Sequence, residues 1–135
     1  MPPKAAYSTP LLHVADIERS IRFYETLGFT IVDTDRCQPL GWARLHCEGG
    51  ALMFLRAEHT IDPSQQGLIL YMYTPDLPAL RQHLLASGLQ CPEIRYPEYM
   101  LSGEIVMKDP DGYVVMVGHW GEKENQEWLK RIGKA

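Results

Sequence analysis

Two kinds of apolar pattern alternate along the chain, and the alternation runs through twice. After a proline-rich start, the short apolar run from Ser8 to Val14 predicts a strand. Asp16 then suits a helix N-cap, because its short carboxylate can accept from an orphan N–H of the first turn. Ile17, Ile21, Tyr24 and Leu27 follow at a spacing that puts them on one helical face, and Gly28 suits the residue just past a helix end. A helix is therefore predicted over 17–27. Phe29 to Val32, Gly41 to Cys47 and Ala51 to Leu55 then alternate as strands, with Glu48-Gly49-Gly50 as the turn between the last two.

The polar stretch Asp62-Pro63-Ser64-Gln65-Gln66-Gly67 reads as a connector, after which the pattern restarts. Leu68 to Tyr73 is an apolar strand; Asp76 precedes Leu77, Leu80, Leu84 and Leu85 on one helical face, and Gly88 closes that helix. The two N-cap positions, 16 and 76, lie 60 residues apart, and so do the closing glycines, 28 and 88. Gly50-Ala51-Leu52-Met53-Phe54 lines up with Gly112-Tyr113-Val114-Val115-Met116 at nearly the same offset, 62. The predicted fold class is α+β, with two copies of a βαβββ unit, one over about 8–57 and one over about 67–120. They are expected to form a single domain, 5–120, followed by a helical C-terminal tail, 121–135.

Composition narrows the function classes. A chain of 135 residues suits one domain with a proper core, and 45% hydrophobic with 22% charged residues is ordinary for a folded protein. The longest apolar runs, Leu68 to Tyr73 and Tyr113 to Val117, fall far short of the roughly 18 residues of a membrane span. Met1-Pro2-Pro3-Lys4 lacks the apolar segment of a secretion signal, so the expected compartment is the cytoplasm and no membrane partner is expected. With a net charge of −4 and scattered Lys and Arg residues, there is no basic stripe for a nucleic acid. Cys37, Cys47 and Cys91 include no C-x-x-C pair and read as structural thiols.

The stretch Leu12-His13-Val14-Ala15-Asp16-Ile17-Glu18-Arg19-Ser20-Ile21-Arg22-Phe23-Tyr24-Glu25-Thr26-Leu27-Gly28-Phe29 resembles the first strand and helix of the vicinal oxygen chelate superfamily. This is the group of glyoxalase I, the bleomycin resistance proteins and the extradiol dioxygenases. Asp109-Pro110-Asp111-Gly112-Tyr113 resembles its last hairpin, and the match covers roughly residues 8 to 118. The resemblance implies a curved, half-barrel mixed sheet with helices on the outer face and a cavity on the concave face. It also implies a divalent metal in those members that hold one with His and Glu from the first and last strands of each module. Here those positions fall on Thr9, Phe54, Ile69 and Met116. Three of the four have no oxygen or nitrogen donor, so neither a metal nor another cofactor is expected. The five histidines show no H-x-x-x-H or H-x-E spacing, and His59 and His83 read as surface residues.

Strand parity then supplies candidate ligand contacts. The parity that turns Thr9 inward also turns Leu11 and His13 inward, and in glyoxalase-like relatives the His13 position commonly carries a polar substrate contact. Ile69, Tyr71 and Tyr73 share a face on the repeat of that strand. Trp42, Arg44 and His46 share a face on the third strand, and a three-residue turn at Glu48 to Gly50 sets Arg44 opposite Phe54; a two-residue turn reverses that face. The expected ligand-binding set is His13, Arg44, Phe54, Tyr71, Tyr73 and Met116, with His13 also the candidate catalytic residue. A backbone-satisfied histidine, and tyrosines in the core or at a dimer contact, are the competing structural readings. The segment Ile94-Arg95-Tyr96-Pro97-Glu98-Tyr99-Met100 lies where relatives carry a loop over the cavity.

The functional expectation is a metal-free protein that binds a small molecule of unknown identity. The alternative is a metal-independent isomerase or lyase with His13 as acid or base. A third reading is a metal-dependent glyoxalase or dioxygenase with relocated ligands. A homodimer is expected, because relatives bury the open sheet edges against a partner; whether two half-barrels close within one chain or between two stays open.

Overall fold

The computed structural model describes residues 1–134; Ala135, the end of the expected tail, lies outside the described residues. The chain divides into two compact units, Met1–Pro63 and a second that starts at Ser64.

In the first unit the elements are β1 (Leu11–Val14), α1 (Ile17–Glu25), β2 (Thr30–Thr34), β3 (Trp42–Cys47) and β4 (Gly50–Arg56). The carboxylate of Asp16 accepts from the Arg19 N–H at 3.1 Å and starts α1 as expected. The helix ends two residues earlier than the apolar pattern suggested. Gly28, at φ +95°, lets the chain reverse, so that the Phe29 N–H reaches the Tyr24 carbonyl and the Gly28 N–H that of Glu25, each at 3.1 Å. The sheet has the order β1-β4-β3-β2, with β1 parallel to β4 and the other pairs antiparallel.

One face of this sheet is the core. Leu12, Val14, Ala43, Leu45, Leu52 and Phe54 are buried there with Ile17, Ile21 and Tyr24 of α1. The Tyr24 ring packs 5.4 Å from the Phe54 ring and 5.8 Å from that of Phe29.

The second unit repeats the plan with β5 (Ile69–Thr74), α2 (Leu77–Ala86), β6 (Glu104–Lys108) and β7 (Val114–His119), in the order β5-β7-β6. Asp76 caps α2 through the Ala79 N–H at 3.1 Å, and Gly88 closes it with the same pair of bonds as Gly28, Leu89 N–H to Leu84 and Gly88 N–H to Leu85. Between α2 and β6, where the first unit has β2, the chain forms only an isolated bridge, Arg95 to Glu104. Pro92 and Pro97 flank that bridge and have no N–H to give to a ladder. Leu70, Leu77, Leu84, Ile105, Met107, Val115 and Val117 form the core of this unit. The Asp109–Tyr113 hairpin is held by the Asp109 carboxylate, which accepts from the N–H groups of Asp111 and Tyr113 at 2.9 Å each.

The architecture is thus α+β with two mixed sheets, neither closed into a barrel. The chain continues into α3 (Glu122–Arg131), none of whose side chains is buried. Among the described residues no helix is long and apolar enough to cross a membrane.

Candidate functional site

Each sheet has a face that its own unit's core does not use, and the candidate residues other than Phe54 are distributed over these two faces. In the first unit the register settles the orientation that the turn length left open. Cys47 pairs with Gly50, so the turn is Glu48-Gly49, two residues long, and Arg44 stands opposite Met53 while Phe54 stands opposite Ala43. Phe54 therefore does not line a ligand face: it is fully buried against Tyr24. The error has a simple physical origin: the repeat offset taken from the Gly50 and Gly112 alignment is one residue too short, and a slip of one residue moves every side chain of a strand to the other face. Leu11 pairs with Met53 and Tyr71 with Met116, so the true repeat partner of Met116 is Met53.

The face opposite the core carries His13, Arg44, His46 and Met53, with Thr9 just before β1. The Arg44 Nε–H donates to His46 Nε2 at 2.9 Å, its Nη1 approaches the Met53 sulfur at 3.8 Å and its Nη2 the Thr9 hydroxyl at 3.4 Å. A guanidinium can only donate, so Nε2 of His46 is the acceptor in this bond. His13 is exposed, and its ring stands edge-on to that of His59, 5.9 Å away.

In the second unit, Tyr71 and Tyr73 do share a face with Met116, as parity implied. The Tyr71 and Tyr73 rings lie 5.2 Å apart, and Tyr73 continues to the ring of Trp120 at 6.0 Å. Tyr73 remains 61% exposed, which leaves an aromatic surface open to contact.

Sequence reasoning missed the polar centre of this face. Glu104 is fully buried, yet one of its oxygens accepts from the Tyr71 hydroxyl at 2.6 Å. The other accepts from the Tyr99 hydroxyl and pairs with the Arg95 guanidinium at 2.7 Å. The signal was present: Glu104, Val106 and Lys108 have one parity on β6, and a carboxylate there must be solvated or paired. Arg95 and Tyr99 belong to the segment read as a loop over the cavity, and both are fastened to Glu104.

These contacts move the titrations. Burial pushes the Glu104 carboxyl up, but the bonds from Tyr71, Tyr99 and Arg95 outweigh it and hold its pKa below the usual value. Burial, and next the bond to Glu104, pushes the Tyr71 phenol well above the ordinary tyrosine range. Tyr99 is raised chiefly by its bond to the same carboxylate. The Tyr71 hydroxyl proton is thus engaged inside the protein.

The positions that the resemblance assigns to a metal are Thr9, Met53, Ile69 and Met116 once the register is corrected. One hydroxyl and two thioethers do not fit a hard divalent ion. Among the described residues no group of three or more His, Cys, Asp or Glu side chains is placed to hold a metal ion.

Two successive βαβ-containing units with these mixed sheets define a class of fold whose members share a scaffold rather than a reaction. The model of the Glyoxalase/Bleomycin resistance protein/Dioxygenase superfamily matches residues 7–117, and the chain belongs to that superfamily. No curated protein matches the sequence significantly. Among solved structures, it is similar to a bleomycin-binding protein in complex with bleomycin, with a TM-score of 0.70 and 23% identity over 86% of this chain and 99% of that one. A bleomycin resistance determinant encoded on the transposon TN5 gives 0.70 and 23% over 87% and 99%. TnmS3, an antibiotic binding protein from Streptomyces sp. CB03234, gives 0.66 and 20% over 88% and 98%. At these identities the likeness is one of fold.

Proposed function

We propose that the protein binds a planar, partly aromatic small molecule without a metal ion, and that the Tyr71–Tyr73–Trp120 surface is the platform for it. The observation that carries this reading is Tyr73, a large ring left 61% exposed while in contact with two other aromatic rings, tilted against that of Tyr71 and edge-on to that of Trp120. Rings held on a sheet lose little freedom on contact and present both faces and edges to a flat partner. Met116, next to Tyr71 on the same face, adds an adaptable apolar contact. The donor set at the family's metal positions and the bleomycin and antibiotic ligands of the structural neighbours support binding over metal chemistry.

His13 is proposed as a polar ligand contact of the first sheet. The working form is proposed to be a cytoplasmic homodimer, since the edge strand β2 leaves Ile31 and Val32 about half exposed beside unpaired backbone groups. Native mass spectrometry of protein purified from cells tests the reading. A small-molecule adduct that disappears in Tyr73→Ala is expected; an adduct of a divalent metal at one per chain contradicts it.

A further inference from the structure

Among the described residues, Arg44 on the first sheet is paired with no carboxylate. Arg44 is half-buried on β3, and its three partners are the His46 imidazole, the Thr9 hydroxyl and the Met53 thioether. None is charged with opposite sign. Its cross-strand neighbour on β2, Asp33, uses its carboxylate on the Thr34 N–H at 2.9 Å instead. The contrast within the chain is Arg95, which is more exposed and yet has a carboxylate at 2.7 Å.

The quality of the partners matters as much as their charge. The Nε–H is well bonded at 2.9 Å, which fixes the plane of the guanidinium against His46. The terminal nitrogens hold four N–H groups between them and have as acceptors only a sulfur at 3.8 Å and a hydroxyl at 3.4 Å, both weak at those distances. A partly desolvated guanidinium in that state gains from a two-oxygen acceptor laid along its Nη1–Nη2 edge, the arrangement in which arginine binds carboxylates and phosphates most strongly.

We propose that Arg44 forms an oxyanion-binding subsite on the first sheet, with His46 as a positioning residue, for a small molecule that carries a carboxylate or phosphate group. Thr9 sits at the rim, where its hydroxyl can turn from Arg44 to the anion. The subsite stands on contacts within the first unit and does not depend on the tyrosine surface.

The test uses acetate and inorganic phosphate alone, so that no ring is available for stacking and a failure of the aromatic reading leaves this result untouched. Each sodium salt is titrated into the full chain at constant ionic strength, with chloride as reference, while the Arg44 Nε–Hε signal of the wild type and, in wild type and variants alike, the backbone amide signals of Thr9 and of residues 43–46 are followed by NMR. A saturable shift with either oxyanion that chloride does not reproduce is expected, and the better of the two identifies the group the ligand carries. Arg44→Gln is expected to abolish the effect. Arg44→Lys, which keeps the charge without the fork and guards against a folding defect, is expected to weaken it by about tenfold. An equal response to chloride, an adventitious ion only, or saturable binding that persists unchanged in a folded Arg44→Gln overturns the proposal.

Discussion

The Tyr71 hydroxyl on β5 reaches over the intervening strand β7 to Glu104 on β6, and it does so across Gly118. The two groups are 2.6 Å apart, and a Cβ placed on Gly118 would lie 2.9 Å from the Tyr71 oxygen and 2.9 Å from the Met100 methyl. Glycine here supplies room for a buried hydrogen bond rather than an unusual backbone angle.

Gly118→Ala is therefore expected to push Tyr71 off Glu104 and to destabilise the protein by about 1–3 kcal/mol, the range for leaving a buried polar group without its partner. Urea denaturation of the two proteins measures it. A change below about 0.5 kcal/mol would show that the site relaxes without losing the bond.

The buried carboxylate sets an acid limit. Its folded pKa is held below the unfolded value of about 4.3, so the unfolded chain binds the proton more readily. Its contribution to stability is present above that pH and is lost as the pH falls through the lowered folded value. Thermal melts of wild type and Glu104→Gln between neutrality and pH 3 are expected to converge on the acid side, with the wild type more stable at pH 7. Parallel curves would contradict this.

Tyr71 sets the opposite limit, because its folded pKa is raised above the unfolded value of about 10. Its contribution is present below that pH and is lost only as the pH rises through the folded value. Ultraviolet titration is expected to show Tyr71 and Tyr99 among the late-titrating phenols of the chain's seven tyrosines, and Tyr71→Phe is expected to remove one of them; an unchanged number of late phenols in that variant would contradict this.

Phe54 and Met53 separate the two faces of β4. Phe54→Ala is expected to cost about 3–5 kcal/mol of stability, as for a fully enclosed aromatic ring, while Met53→Ala, on the opposite face, costs clearly less. Equal costs in chemical denaturation would mean that the register is wrong.

Much of this fold could be read from the sequence because its signals are local. Asp16 with Gly28, and Asp76 with Gly88, mark helix limits through caps that involve only neighbouring residues. Parity along β5 likewise puts Tyr71 and Tyr73 on one face. Phe54 is misplaced because it is reached from Met116 by the offset of 62 between Gly50 and Gly112, whereas the strand pairings make Met53 the partner of Met116; a slip of one residue is enough to exchange core and open face. Glu104 was missed because its partners come from β5 and from the 95–99 segment, contacts that no periodicity encodes. The bridge at Arg95, in place of a full strand, follows from two prolines whose effect is visible only once a ladder is sought there.

The central claim is that Tyr73 and its neighbours bind a flat aromatic compound without metal. A planar aromatic dye titrated into EDTA-treated protein, followed by tryptophan quenching and repeated with Tyr73→Ala, tests it most directly. Saturable binding that survives the chelator and weakens by about 0.5–1.5 kcal/mol in the variant is the expected result. Binding that requires an added divalent metal, or that is identical in Tyr73→Ala, would contradict the account.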